Sequence, residues 1–407
     1  MENGITQSGQ EMARQPDKSC SSPFAEAPKQ GEIVARGFLF LGSLALSILL
    51  LEGGARIYLR LSPLKSPVGR WEFRSTRPAP YQHADYFNDR FLSESARCVT
   101  GLTVSPSNHF VLLGDFAGRY FNVSKGLRRT TDQPARYAHR VLLFGGSTIF
   151  CQEVPDNQTI ASHLQRLIKR KAFRVENYGV VSMSATQQTA RLLGTPVLHG
   201  DTVIFYDGVN DIYYPVFNGN PRGWVLGEGH DGGVRKLNWV QRMLFPFALR
   251  YQNPSACARL FLQGIERQPR HNISDLRIMK ENLEVAQRGY EAALVKAHNY
   301  VVRKGGRFVH CFQPTIFTLA RPSSYEKRLI ENENMIYPGL DSAFRIGYPR
   351  LRTVLEAANR KGVISFDLSG VLDERAPGEE FYLDYFHVNH TANERIARKI
   401  YDLAFGS

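Results

Sequence analysis

The stretch RVLLFGGST, residues 140–148, decides how this chain reads. A short, largely apolar run that stops at a glycine pair is the pattern of a strand buried on both faces of a parallel sheet. The serine that follows stands just past the C-terminal end of that strand. In open α/β sheets this is the rim where ligands bind.

Working outward, the same pattern recurs. RVENY (174–178), TVIFY (202–206), RFVHCF (307–312) and VISFD (363–367) are further short strands. Helical stretches separate them. After the first strand, Asp156 is placed to cap a helix, with Ile160, Leu164, Leu167 and Ile168 on its apolar face. Ser274 is placed to cap a long helix over 274–303, in which Leu276, Met279, Leu283, Ala286, Tyr290, Leu294 and Val301 recur at three- and four-residue steps. Helices are also expected over 343–361 and from Thr391 to the end. Strands alternating with helices predict an α/β domain over 139–405: three α/β/α layers, flavodoxin-like, around a central five-stranded parallel sheet. Residues 213–273 interrupt the alternation as an insertion rich in aromatic and basic residues. Before the domain, residues 59–138 begin as a proline-bearing linker. They continue through apolar pieces such as FVLLG (110–114) and YFNV (120–123), an accessory lead-in expected to pack on the main domain.

The composition of the 407 residues, 43% hydrophobic and 22% charged, is that of a globular protein. The net charge of +13 gives general attraction to anions, but the basic residues are scattered. No nucleic-acid-binding motif accompanies them, so no nucleic-acid partner is expected. Five cysteines, at 20, 98, 151, 257 and 311, are odd in number and form no CxxC pair. Neither a disulfide framework nor a zinc site is signalled, although one bridge among the later cysteines stays open. No metal or other cofactor is expected.

Residues 1–36 form a polar leader expected to be disordered. The run GFLFLGSLALSILLL (37–51) follows, fifteen residues where a spanning helix needs about 20. Extended to Tyr58, it reads as a single transmembrane anchor over 37–58. A signal peptide and a buried core helix are the rival readings. Lys and Arg flank the run on both sides, so the positive-inside rule gives no orientation.

Five residues carry the chemistry. Ser147 follows the first strand, Gly179 the second, and Asn210 the third within DGVND. Asp384 and His387 lie in LDYFHVN before the last helix. A serine hydroxyl needs a base to become a nucleophile, and His387 suits that role. Asp384 is placed to hold the imidazole tautomer and to stabilise the imidazolium. The backbone N–H groups of Ser147 and Gly179, with the Asn210 amide, are candidate donors to an oxyanion. Taken singly, each has a bland reading: a turn, a strand end, a loop amide, a cap, a structural histidine. The order and placement of all five favour catalysis.

This set resembles the SGNH (GDSL-like) hydrolase superfamily over about residues 135–405. The blocks are Ser147, Gly179, the G-x-N-D of Gly208 to Asp211, and the D-x-x-H of Asp384 to His387. The resemblance implies Ser147 as nucleophile, His387 as base, Asp384 as its partner, and Ser147, Gly179 and Asn210 as the oxyanion hole. The chain departs from G-D-S, having Gly146 in place of the aspartate. The G-x-S-x-G elbow of α/β-hydrolases is not matched, since residue 149 is Ile. The Asp–His pair follows the serine, opposite to the alginate-acetyltransferase-like branch. The layout, with an anchor ahead of FGGST, looks like bacterial membrane-anchored SGNH proteins associated with cell-envelope polysaccharide.

The implied function is a serine esterase cleaving an O-acyl ester, favoured as acetyl, on a carbohydrate, through an acyl-serine intermediate. The resemblance puts the domain outside the cytoplasm, in the periplasm or an equivalent space. Two other functions stay open: an O-acyltransferase using the same triad, and a membrane-tethered SGNH module that only binds. Tyr213, Tyr214, Phe217 and Trp224 read either as a sugar- or acyl-binding wall or as core. Cys151 reads as a small buried residue rather than a second nucleophile. N-x-S/T sequons occur at Asn122, Asn157, Asn272 and Asn389.

Overall fold

The first element met along the chain is one long helix, α1 (Gln30–Leu61), in a computed structural model that describes residues 30–61, 79–82, 84–100, 102–105, 110–168, 173–218, 257 and 276–406. Within α1, Arg36–Ile57 is a 22-residue stretch of mean hydropathy 1.9 with only 6% of its apolar window buried. Twenty-two residues at 1.5 Å each cover about 33 Å, enough for a bilayer core of about 30 Å. By length and composition this helix is able to cross a membrane. The leader before residue 30 lies outside the described residues.

Residues from Ala55 onward form one compact body. Its lead-in supplies α2 (Asp89–Thr100) and the antiparallel pair β1 (Leu102–Val104) and β2 (Val111–Leu113). The small strands β3 (Phe116–Ala117), β4 (Asn122–Ser124) and β5 (Leu127–Arg128) come next. The alternating part then runs β6 (His139–Gly145), α3 (Ser147–Phe150), α4 (Ile160–Leu167), β7 (Phe173–Asn177), α5 (Ala185–Leu193), β8 (Thr202–Asp207) and α6 (Val209–Asn218). It resumes with α7 (Leu276–Arg303), β9 (Arg307–Phe312), α8 (Ser324–Ile336), α9 (Leu340–Arg360), β10 (Ile364–Asp367) and α10 (His390–Phe405).

The strand order is β10-β9-β8-β6-β7-β5-β4-β3. From β10 to β7 every pairing is parallel. Reversal of direction at β6 is the switch point at which α/β sheets open a crevice. Right-handed crossovers on either side of a reversal put helices on opposite faces. Accordingly α4 packs with α10, while α7 packs with α5, α6 and α9. The middle strand β8 is buried at all six positions, as a strand covered on both faces must be.

The sheet has eight strands, not the five expected. β5 pairs antiparallel with β7 through Arg128 and Asn177, and β4 and β3 extend that edge. These strands are two or three residues long, too short for a periodicity signal. A second correction concerns α4, whose N-cap is Thr159, its hydroxyl accepting from the Ser162 N–H. Asp156 instead accepts from Arg128 and Asn122. Ser274, the expected cap of α7, lies outside the described residues, as does most of the insertion after Asn218.

Candidate active site

β6 delivers the candidate nucleophile, Ser147. Its last residue is Gly145, and Gly146 caps a single helical turn that begins at Ser147. The N–H groups of Ile149 and Phe150 both donate to the Gly146 carbonyl, which fixes the turn.

The candidate base, His387, comes from a tight turn before α10. Leu383 N–H donates to His387 O at 2.8 Å, and Tyr382 bridges Val388. Asp384 closes this turn: its Oδ1 accepts from the N–H groups of Phe386 (2.9 Å) and His387 (2.8 Å). Its Oδ2 lies 2.6 Å from His387 Nδ1. The D-x-x-H spacing thus lets one carboxylate fold the turn and hold the ring. Burial alone would raise the Asp384 carboxyl, but His387 and these two N–H donors overcome it and hold it at about 2. An ionised Asp384 can only accept, so Nδ1 carries the ring proton and Nε2 keeps its lone pair. Ser147 Oγ lies 2.8 Å from that Nε2. The two residues are 240 positions apart in sequence and both are buried.

Asn210 lies in the first turn of α6, at the end of β8. Its Nδ2 donates to the Met183 carbonyl at 2.8 Å and stands close above Gly146. One amide hydrogen is engaged in this way and the other remains for a ligand. Serine, aspartate and histidine in this chain order, at the C-terminal rim of the sheet and beside this asparagine, give the arrangement expected from the sequence.

No family model matches the sequence. No curated protein matches it either. Several solved structures do. The acetylxylan esterase Axe2 from Geobacillus stearothermophilus is 12% identical over 66% of this chain and 95% of its own, with a TM-score of 0.36. LAE5, an alpha/beta hydrolase enzyme from the metagenome of Lake Arreo, Spain, is 14% identical over 66% of this chain and 95% of its own, TM-score 0.35. A putative lipolytic protein of the G-D-S-L family from Desulfitobacterium hafniense DCB-2 is 11% identical over 64% of this chain and 98% of its own, TM-score 0.31.

Gly179 departs from expectation. Its N–H donates to Asn177 Oδ1 at 2.8 Å, and so is already engaged. A Cβ at Gly179 would lie 2.3 Å from Phe150 N and 2.6 Å from Ile149 C. Its glycine character therefore lets the nucleophile turn rest directly on the strand end, and Asn177 Nδ2 reinforces this by donating to Ile149 O at 2.8 Å.

Two features of the site carry no signal in the sequence. The first is a clamp on the chain that follows Ser147. The carbonyls of residues 150 to 154 all accept hydrogen bonds from the lead-in. Arg128 binds those of Phe150 and Cys151, and that of Val154 at 2.6 Å. Ser95 Oγ donates to Gln152 O at 2.9 Å, and Tyr81 OH to Glu153 O at 2.8 Å. Arg128 itself is fully buried between the Phe121 and Phe150 rings and paired with Asp156. The clamp holds Cys151 at φ 55°, a left-handed conformation that a non-glycine residue keeps only when its surroundings over-determine it. The second feature is Glu153, whose carboxylate Oε1 comes within 3.4 Å of His387 Nε2.

Cys151 is buried, its thiol pushed up by burial to about 12, as a packing residue and not a nucleophile would be. Cys98, Cys151 and Cys311 are free thiols, so no bridge joins these three. Tyr213, Tyr214 and Phe217 are buried. Tyr213 stacks on Phe217 and Tyr385, which favours the core reading for them; Trp224 lies outside the described residues. Asn389 is the N-cap of α10 and its amide is engaged with Pro80 O and Glu380 O, so this sequon is structural. Among the described residues, no three His, Cys, Asp or Glu side chains converge as a metal site requires.

Proposed function

We propose that this protein is a membrane-anchored serine esterase that cleaves an O-acyl ester through an acyl-serine intermediate. The observation that carries the reading is the unbroken relay from Asp384 through His387 to Ser147, with contacts of 2.6 and 2.8 Å.

In the first half-reaction Ser147 Oγ attacks the ester carbonyl carbon while its proton passes to His387 Nε2. The carbonyl oxygen becomes an oxyanion, for which the Ser147 N–H and the second amide hydrogen of Asn210 are the donors this site supports. Collapse breaks the acyl C–O bond, and the alcohol oxygen leaves with the proton from Nε2. In the second half-reaction water attacks the acyl carbon and gives a proton to His387 Nε2; collapse breaks the bond from that carbon to Ser147 Oγ, Oγ takes the proton back from Nε2, and the carboxylic acid is released. Asp384 stabilises the imidazolium in both halves.

The substrate is read as a carbohydrate ester, favoured as acetyl, in the cell envelope, with the domain outside the cytoplasm. The support for this part is the resemblance to membrane-anchored SGNH proteins together with the apolar helix Arg36–Ile57.

The test is p-nitrophenyl acetate turnover by the whole protein in detergent. Ser147→Ala should lose about 10³-fold or more of the rate, and only the parent should take a fluorophosphonate label. Equal rates in parent and mutant would overturn the reading. Adding an acetylated glycan with an unmodified sugar then reads hydrolysis against transfer: free acetate supports the esterase, acetylated acceptor the transferase.

A further inference from the structure

The esterase reading gives Glu153 no task, yet its placement is demanding. The side chain is 2% exposed, and its Oε1 finds no hydrogen-bond donor among the described residues. A buried carboxylate oxygen without a donor is costly. The clamp on carbonyls 150 to 154 holds it there, so the position is enforced rather than adopted by default. What Oε1 faces, at 3.4 Å, is Nε2 of His387, the nitrogen that exchanges protons with Ser147.

We propose that Glu153 is a second carboxylate partner of His387, opposing Asp384 across the imidazole, which stabilises the imidazolium from the Nε2 side and so sets the pH at which the base becomes competent. This rests on the triad reading. In the resting site Nε2 accepts from Ser147 Oγ–H. When that proton moves to Nε2, the new N–H lies beside an anion, and the ion pair lowers the energy of the state in which Ser147 has given up its proton. Asp384 orients the ring; Glu153 acts on the nitrogen that carries the transferred proton.

The charged and titratable groups around Glu153 fit this assignment. From the turn before α10 come His387, which favours its anion, and Asp384, which opposes it. From β5 comes the Arg128 guanidinium, which favours the anion, and from the turn Ala79–Tyr81 comes the Tyr81 hydroxyl, held on the Glu153 carbonyl. Burial outweighs the rest and pushes the Glu153 carboxyl up to about 7. Asp384, held at about 2, stays charged throughout. An ionised Glu153 at 3.4 Å favours the protonated imidazole, and a protonated Glu153 does not, so the charge on one group bears on the proton of the other. The competent form is neutral His387 beside ionised Glu153.

The experiment is the pH profile of kcat/KM for p-nitrophenyl acetate with the whole protein in detergent, comparing parent, Glu153→Gln and Glu153→Asp. Glutamine keeps the shape and removes the charge. It should lower the plateau about tenfold, as losing a neighbouring opposite charge does, and move the acid limb to lower pH. Aspartate, charged but one methylene shorter, should return the limb toward the parent. An acid limb and plateau that Glu153→Gln leaves in place would overturn the proposal. A second readout needs no turnover: the His387 ring resonances titrated by NMR in Ser147→Ala protein, with and without Glu153→Gln. The midpoint should fall when the charge is removed, and an unmoved midpoint is fatal to the idea. Should the glutamine variant not fold, Glu153→Ala, which also removes the charge, carries the same titration, with a fall expected and an unmoved midpoint counting against. Failure of the triad reading looks different, since Ser147→Ala would then remain active whatever Glu153 does.

Discussion

A Cβ placed on Gly146 would stand 2.6 Å from Asn210 Nδ2 and 3.2 Å from the Met183 carbonyl that this amide binds. The residue before the nucleophile and the proposed oxyanion donor thus occupy adjoining space. This gives a physical reason for the glycine that replaces the aspartate of G-D-S: no side chain fits while Asn210 keeps its place.

Gly146→Ala should therefore displace the amide and cost about 10²-fold in kcat, the scale of losing one oxyanion donor. Gly146→Asp, which would complete the G-D-S pattern, should do no better. Steady-state kinetics on both variants, with a melting curve to confirm folding, would check this. Full activity in Gly146→Asp would remove Asn210 from the oxyanion hole.

Arg128→Met should be severe for stability although Arg128 touches no substrate atom. It would leave three carbonyls and the Asp156 carboxylate short of a donor in a buried place. Removing one partner of a buried pair costs about 3–5 kcal/mol. Urea denaturation would read this loss. Arg128→Lys should recover little of it, because one ammonium cannot span the separate acceptors.

Glu153→Gln should stabilise the protein while it slows the reaction. The Glu153 carboxyl is raised by burial to about 7, above its ordinary value near 4 in an unfolded chain. The folded state therefore holds its proton over a range where the unfolded state has lost it. Stability from this group is present below the ordinary carboxylate range and drains away as pH climbs to about 7. The glutamine variant lacks that loss, so its advantage should grow from pH 4 to 7 and then level off, at on the order of 3 kcal/mol. Melting temperatures at pH 5 and pH 8 suffice; a variant less stable than the parent at both would mark Glu153 as mere packing.

Asp384→Asn should cost about 10⁴-fold in rate, since an amide no longer dictates which ring nitrogen carries the proton. Because Asp384 is ionised down to about 2, the parent's acid limb between pH 4 and 8 should contain no step of its own. A step between pH 4 and 8 in the parent that is assigned to Asp384 by its loss in Asp384→Asn would contradict that assignment.

The parallel core was legible because its central strands carry short apolar runs, buried throughout in β8, that are followed by glycine or polar residues. The triad was legible because Asp384 and His387 share one turn and Ser147 follows a strand of unmistakable type. Gly179 was read for its position, but which way its N–H points depends on the Asn177 side chain. Arg128 and Glu153 were invisible for a deeper reason. Each is an ordinary charged residue in sequence, and its meaning comes only from tertiary partners, one of them 234 positions away across the Glu153–His387 contact.

The five gripped carbonyls also bear on how the protein can be cut. All the donors come from residues 81 to 128, ahead of the first core strand. A fragment begun at residue 139 would contain every member of the triad and still lack the hands that hold the nucleophile loop. Grafting or trimming this enzyme at its apparent domain edge would deliver complete catalytic chemistry on a loop free to wander.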